Sequence, residues 1–268
     1  MKISSNIIAS MTVAHMNKAN NKASTAMERL SSGLKINSAS DDPAGLAIAK
    51  KLNTQVKGLK QANQNVMNGI SMIQAAEGAL SEVHAMLNRL KELNVQSQTD
   101  ALTDEDIEKI QAEVDALIEE IETTSKNTEY NKIPLLNSDN NIMLQIGANA
   151  YQEMEIDGKS IKLQQVVDIL GTTKINDADM SEKIDEAIAK TSEIRGILGA
   201  AQNRLEHTTA NLAVSEENMI SSLSRVQDTD MAEEMTNYTQ QNVISQAGMA
   251  MLAQANQRPM QVLQLLNS

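Results

Sequence analysis

The residue types that most often carry catalysis are sparse in this chain and lack catalytic spacing. Its three histidines, His15, His84 and His207, have no HExxH or other metal-binding pattern around them. A serine or threonine nucleophile needs a neighbouring histidine that an acid orients, and no such motif stands out. Cysteine is absent, which excludes thiol chemistry and disulfides. We therefore predict a protein that is not an enzyme and that holds no metal or cofactor.

The charged and sulfur-containing residues lead to the same prediction. Residues 100–130 contain eleven Asp or Glu and two Lys, a pattern that favours a solvated helix face over a metal site. Sixteen methionines favour adaptable packing over haem or copper ligation, since Phe and Trp are absent. The net charge of −12 disfavours binding to nucleic acid or to an anionic membrane surface.

The C-terminal stretch is unusual in its charge. From residue 236 to residue 268 it carries one charged side chain, Arg258, although 22% of the chain is charged. Its many large apolar side chains would each contribute about 1.5–3 kcal/mol if buried, but a lone helix on one surface would be marginal. We predict that this tail is ordered only when other copies of the protein enclose it. The predicted assembly residues at the two chain ends are Ile7, Met11, Tyr238, Ile244, Met251, Leu252, Val262, Leu263 and Leu266.

Two seven-residue repeats of apolar residues predict two long helices with coiled-coil-like seams. The first repeat is Leu52, Leu59, Val66, Ile73, Leu80 and Leu87, with a companion track at Ala49, Val56, Asn63 and Ile70 and a second track from Ala76 through Val83 and Leu90. The second repeat is Ile184, Leu198, Leu205, Leu212, Met219 and Val226, with a smaller companion track at Ile194, Ala201, Thr208 and Ser215. We predict that these two seams pack on each other.

Between the two seams the spacing of the apolar residues changes. Thr103 is predicted to cap a helix whose buried face is Ile107, Ile110, Val114, Leu117 and Ile121. Residues 142–146 and 154–156, before Asp157-Gly158, predict short strands of a β-hairpin. The predicted fold is mainly α, a long coiled-coil-like helical bundle with a small β-hairpin region and paired N- and C-terminal helices. The predicted domains are 1–40 with 229–268, for assembly, and 41–228, a helical bundle with a non-helical island at about 130–178 that we expect to be the most exposed part.

The two ends of the chain carry recognisable motifs. Residues 29–39 and 41–49 read RLSSGLKINSA and DDPAGLAIA, and residues 198–205 and 251–257 read LGAAQNRL and MLAQANQ. In their residues and in their order along the chain, these segments closely resemble the N- and C-terminal signatures of bacterial flagellin. The resemblance covers roughly residues 1–150 and 180–268.

The resemblance implies a function that the periodicity does not. A flagellin is the structural subunit that self-assembles into the bacterial flagellar filament for motility, with its paired ends forming the inner assembly domain. Because the island between the halves is short, the resemblance implies a minimal form without large outer domains. The alternatives are a hook–filament junction protein of the same superfamily and, less well supported, a secreted helical adhesin.

The resemblance also implies partners and a location. The expected partners are other copies of the chain in a helical homopolymer, a flagellar export chaperone on the C-terminal segment, and filament cap and junction proteins. A host Toll-like receptor is expected to contact Arg89, Leu93 and Glu113, although Leu117 stands where some flagellins have an arginine. The N-terminus is a poor secretory signal, so we expect type III export without a cleaved signal peptide to the extracellular flagellum.

Overall fold

The computed structural model describes residues 6–99, 103–171, 175 and 179–266, with side chains described up to residue 257. In this part of the chain the helices are α1 Ile7–Ser32, α2 Pro43–Ser97, α3 Asp104–Asn127, α4 Gln164–Leu170, α5 Met180–Gln227 and α6 Met231–Leu266. The strands are β1 Glu129–Tyr130, β2 Ile133–Pro134, β3 Ile142–Gln145 and β4 Glu153–Ile156. The prediction of a mainly helical fold with a small β-hairpin region is confirmed.

The chain forms two compact units. The terminal unit comprises residues 1–55 and 218–268, and the central unit comprises residues 56–217. Both borders fall inside helices, α2 and α5, so each of these helices contributes to both units. The predicted boundaries near residues 40 and 229 separate an assembly domain from a helical bundle, and they remain a prediction.

In the central unit α2 and α5 pack against each other in antiparallel directions. Arg195 of α5 donates two hydrogen bonds to Oε1 of Glu77 on α2, at 2.9 and 3.0 Å. Further along, Lys91 of α2 forms an ion pair with Asp185 of α5. The seam residues between these pairs are fully buried, among them Leu80, Leu87 and Ile194. The predicted pairing of the two long seams is confirmed.

The second track of seam residues on α2 begins earlier than the predicted start at Ala76. It includes Ala62 and Gly69, both buried, at seven-residue spacing before Ala76. A Cβ at Gly69 would lie 2.8 Å from Cδ1 of Leu144 and 3.3 Å from Cδ1 of Leu205, closer than ordinary contact. Small residues therefore continue the seam where β3 and α5 come close to α2.

The predicted third helix is also confirmed. Ile110, Val114 and Ile121 of α3 are buried and its other two predicted seam residues are partly buried in the same core. At its start, the carboxylate of Asp106 accepts hydrogen bonds from the hydroxyl and the backbone N–H of Thr103, at 2.6 and 3.3 Å. These bonds lower the pKa of Asp106 below its ordinary value.

The island was predicted partly wrongly. Strands β3 and β4 pair in the antiparallel hairpin that the sequence predicts, with Ile142 opposite Ile156. However, the island also contains helix α4 and the unpredicted pair β1–β2. It is not the most exposed part, because its apolar side chains enter the core, and the fully buried ones include Leu135, Leu136, Ile161, Leu163, Val166 and Leu170. An apolar helix of seven residues is too short for periodicity to reveal it.

Candidate assembly interface

In the terminal unit α1 and α6 form an antiparallel pair, as predicted for the two chain ends. Nδ2 of Asn6 donates a 2.9 Å hydrogen bond to the carbonyl of Ala255, and the hydroxyl of Ser245 donates a 2.8 Å bond to Oδ1 of Asn20. At the other end, Arg29 lies 3.9 Å from a carboxylate oxygen of Glu234. These contacts hold the two ends of a 268-residue chain side by side.

The surface between the two helices consists mainly of small and polar residues. Ala19, Ala23 and Ala26 are the buried residues of α1. On α6 the half-buried residues are Glu234, Tyr238, Gln241, Asn242, Ser245, Gly248, Leu252 and Ala255, and apart from Asn242 they recur at alternating spacings of four and three residues. None of the α6 side chains described is fully buried. The alanines of α1, spaced four and three residues apart, were a sequence signal for this seam, but none of them is among the predicted assembly residues.

Most large apolar side chains of the pair point away from this seam. Met251 of α6 is 58% exposed and Ile7 of α1 is 70% exposed. The exposed large apolar residues of the two helices are Ile7, Ile8, Met11, Val13, Met27, Met231, Met235, Val243, Ile244, Met249 and Met251. Below we call these residues the outward faces of α1 and α6. Such a density of exposed apolar side chains marks an interaction surface.

The nine predicted assembly residues divide into three groups. Ile7, Met11, Ile244 and Met251 lie on the outward faces. Tyr238 and Leu252 are half-buried in the seven-residue register that faces α1. The side chains of Val262, Leu263 and Leu266 lie outside those that the structure describes.

The three predicted receptor residues are neighbours in the central unit, but they do not share one surface. Nε of Arg89 donates a 2.9 Å hydrogen bond to Glu113 on α3, and a second nitrogen donates to Glu92 at 3.1 Å. The bonds to these carboxylates raise the pKa of Arg89 above its ordinary value. Leu93 is only 1% exposed and belongs to the core. Its side chain has no surface to offer a receptor, because it completes the helix seam.

The histidines and acidic residues form no recognisable ligand set. Among the described residues, no group of three or more His, Asp or Glu side chains is arranged to hold a metal ion. His84 is half-buried on α2, whereas His15 and His207 are exposed. Within the same part of the chain, no helix combines the length and the apolar character that a membrane span requires.

Both ends of the chain match models of one protein family. Residues 3–141 match the bacterial flagellin N-terminal helical region, and residues 181–266 match the bacterial flagellin C-terminal helical region. The chain belongs to the bacterial flagellin family. These two helical regions contain all of α1, α2, α3, α5 and α6 apart from the first residue of α5.

The relatives share nearly the whole length of this flagellin. The flagellin of Bacillus subtilis strain 168 is 43% identical over 304 residues, which cover 99% of this chain and 100% of the relative. The flagellin of Halalkalibacterium halodurans is 45% identical over 92% of each protein. The crystal structure of Bacillus cereus flagellin is 23% identical, with a TM-score of 0.50 over 56% of this chain and 88% of that one, and it supports the fold.

Family membership gives the protein its role. It is a structural subunit of the bacterial flagellar filament, which lies outside the cell. Its small size, with nothing beyond one short island between the two family regions, agrees with the predicted minimal form.

Proposed function

We propose that this flagellin assembles through the outward faces of α1 and α6, which contact the same faces of neighbouring copies in the filament. The observation that carries the proposal is the separation of the two kinds of side chain on these helices. Alanine and polar residues pair α1 with α6, and Met, Ile and Val remain exposed. Exposed apolar surface of this kind is stabilised when a copy of the chain covers it.

The low charge of α6 supports the same proposal. Between residues 236 and 257 the helix carries no charged side chain, and Asn, Gln, Ser, Thr and Tyr provide its polar groups. An amide can be covered by a neighbouring copy at a smaller desolvation cost than an ion, provided that it is hydrogen-bonded. Arg258 is the single charged residue in the remainder of the chain.

Assembly should depend on the apolar character of Ile244. We expect Ile244→Asp to abolish filament formation, because each neighbouring copy would have to cover a carboxylate. The measurement is sedimentation and electron microscopy of purified subunits, with circular dichroism to confirm that the helices remain. Cells whose only flagellin is this variant should not swim.

The matched control is Ile244→Met, which keeps an apolar side chain of similar volume and should form normal filaments. Normal filaments from Ile244→Asp would refute the proposal for this face of α6. A loss of assembly in both variants would show that packing shape at this position matters more than polarity.

Other properties of the protein follow from its family. The proposed partners besides other copies are a flagellar export chaperone on the C-terminal segment and the cap and junction proteins of the filament. We further propose type III export without a cleaved signal peptide and no catalytic activity. The charge-poor α6 supports the chaperone proposal, since an amphipathic segment can bind a groove as a helix.

A host Toll-like receptor is the remaining proposed partner. Arg89 and Glu113 support this proposal, because both are exposed and form one ion pair across α2 and α3. Leu93 is not retained in the proposed contact, because its side chain is buried in the core. Arg89→Ala should weaken receptor binding in a surface-plasmon-resonance measurement with free subunits, because a charged hydrogen-bond donor is lost.

Lys109→Ala is the matched control, since it also removes an exposed cation that pairs with a carboxylate of α3, in this case Glu105. Unchanged receptor affinity in Arg89→Ala would remove this residue from the proposed contact. An equal loss in both variants would indicate an effect of net charge alone.

A further inference from the structure

The exposed methionines of this flagellin are concentrated on α1 and α6. Six of the eight exposed methionines among the described residues lie there: Met11, Met27, Met231, Met235, Met249 and Met251. Each is between 48% and 58% exposed. The chain contains no cysteine, so the methionine thioethers are its only oxidisable sulfur atoms.

Other methionines of the chain are protected. Met72, Met154 and Met180 lie in the core of the central unit, where at most 7% of each residue is exposed. Susceptibility to oxidation follows exposure. The chain therefore contains methionines on the outward faces that oxidise readily and methionines in the core that resist oxidation.

We infer that the methionines on the outward faces of α1 and α6 are an oxidation site that controls whether a free subunit can assemble. The oxidant is a hydroperoxide, with hydrogen peroxide as the simplest member. The thioether sulfur attacks one peroxide oxygen, the O–O bond breaks and an S–O bond forms. With hydrogen peroxide the sulfur loses two electrons, the leaving hydroxide takes the proton from the transferred oxygen, and the products are methionine sulfoxide and water.

The effect on assembly follows from polarity. A sulfoxide converts a flexible apolar side chain into a polar one, so a neighbouring copy that covers it must desolvate a strong hydrogen-bond acceptor. An oxidised free subunit is thereby excluded from the filament. In the filament the same side chains are covered and react more slowly. This inference rests on the proposed assembly through the outward faces.

The first test locates the reaction. Free subunits are treated with hydrogen peroxide, and peptides are quantified by mass spectrometry over time. We expect sulfoxide at Met249 and Met251 well before Met154 and Met180, and slower reaction of the outward-face methionines in preformed filaments. Oxidation at equal rates in subunit and filament would overturn the inference.

The second test measures assembly itself. The critical concentration for polymerisation of the oxidised subunit should rise at least about tenfold, which corresponds to about 1.4 kcal/mol per added subunit. Treatment with the two methionine sulfoxide reductases, one for each epimer, should restore the original value. An unchanged critical concentration after oxidation would contradict the inference, and so would a loss that the reductases do not reverse.

Variants separate this inference from the proposed function. Replacement of the six outward-face methionines by leucine should keep assembly and make it resistant to peroxide, since Met→Leu conserves volume. The matched control, Met67→Leu with Met143→Leu, removes the two exposed methionines of the central unit and should stay sensitive. If the sixfold variant does not assemble, reversal by the reductases in the native chain decides the question. Failure of the untreated native subunit to polymerise would instead contradict the proposed function.

Discussion

At the scale of single residues, the signature DDPAG is explained by local hydrogen bonds and one close contact. Oδ1 of Asp42 accepts bonds from the backbone N–H groups of Ala44 and Gly45, at 3.1 and 3.0 Å, and so caps α2. A Cβ at Gly45 would lie 2.6 Å from Cδ1 of Ile36. The motif therefore begins the long helix and lets the preceding loop pack on it.

Asp41 gives a prediction at this scale. Its carboxylate accepts bonds from the backbone and hydroxyl of Ser38 and from the backbone of Asn37, and these bonds lower its pKa below the ordinary 3.8. A carboxyl group with a lowered pKa stabilises the folded state above its ordinary pKa, and this contribution is lost as pH falls through the folded-state pKa. Asp41→Asn should therefore reduce the free energy of unfolding at pH 7, and the difference from the native protein should shrink below pH 3.8.

Urea unfolding followed by circular dichroism at pH 7 and at acidic pH measures this difference. The control is Glu217→Gln, which also removes one exposed carboxylate from the chain and should have little effect. A difference for Asp41→Asn that is constant with pH would show that the hydrogen bonds to this carboxylate do not depend on its charge.

At the scale of elements, the two antiparallel helix pairs differ in what they bury. The α2–α5 seam in the central unit buries Leu, Ile and Val, whereas the α1–α6 seam in the terminal unit buries alanine. Buried large side chains contribute more free energy than buried alanine, because more apolar surface leaves water. The two seams share a spacing of three and four residues, but we expect them to differ in stability.

A substitution in the α2 seam tests this expectation. Leu87 is fully buried, and Leu87→Ala should lower the free energy of unfolding of the central unit by about 2–5 kcal/mol. Val95→Ala on the same helix removes a side chain that is 60% exposed and should cost less than about 0.5 kcal/mol. Chemical denaturation of both variants provides the measurement, and equal losses would show that Leu87 is not a core residue.

At the scale of the whole molecule, the terminal unit is the part whose stability should depend on other copies. In a dilute free subunit, backbone amides of residues 7–30 and 231–257 should exchange rapidly, because these helices bury only small side chains. Amides of residues 73–93 should be strongly protected by the large core of the central unit. Hydrogen exchange with mass spectrometry measures both regions, before and after polymerisation.

Polymerisation should raise protection in the terminal unit far more than in the central unit. Strong protection of α1 and α6 in the dilute subunit would contradict the expectation that neighbours order the chain ends. It would leave the proposed interface itself untested, which the Ile244 variants address separately.

The sequence alone determined the two longest helices, the seam between them and the resemblance to the family. Seven-residue repeats such as Val66, Ile73 and Leu80 report helix geometry directly, because residues at this spacing lie on one helix face. The same spacing around Ile107–Ile121 predicted α3, and the motifs at the two ends identified the resemblance to flagellin. These features are local, so one segment is sufficient to reveal each of them.

The tertiary structure decided which side chains face the partner helix and which remain exposed. The sequence shows Met251 and Leu252 as neighbouring apolar residues, but only the packing of α6 on α1 places the first outward and the second toward the seam. The entry of the island into the core was likewise invisible in the sequence. Each depends on contacts between segments that are distant in the chain, and local periodicity carries no information about such contacts.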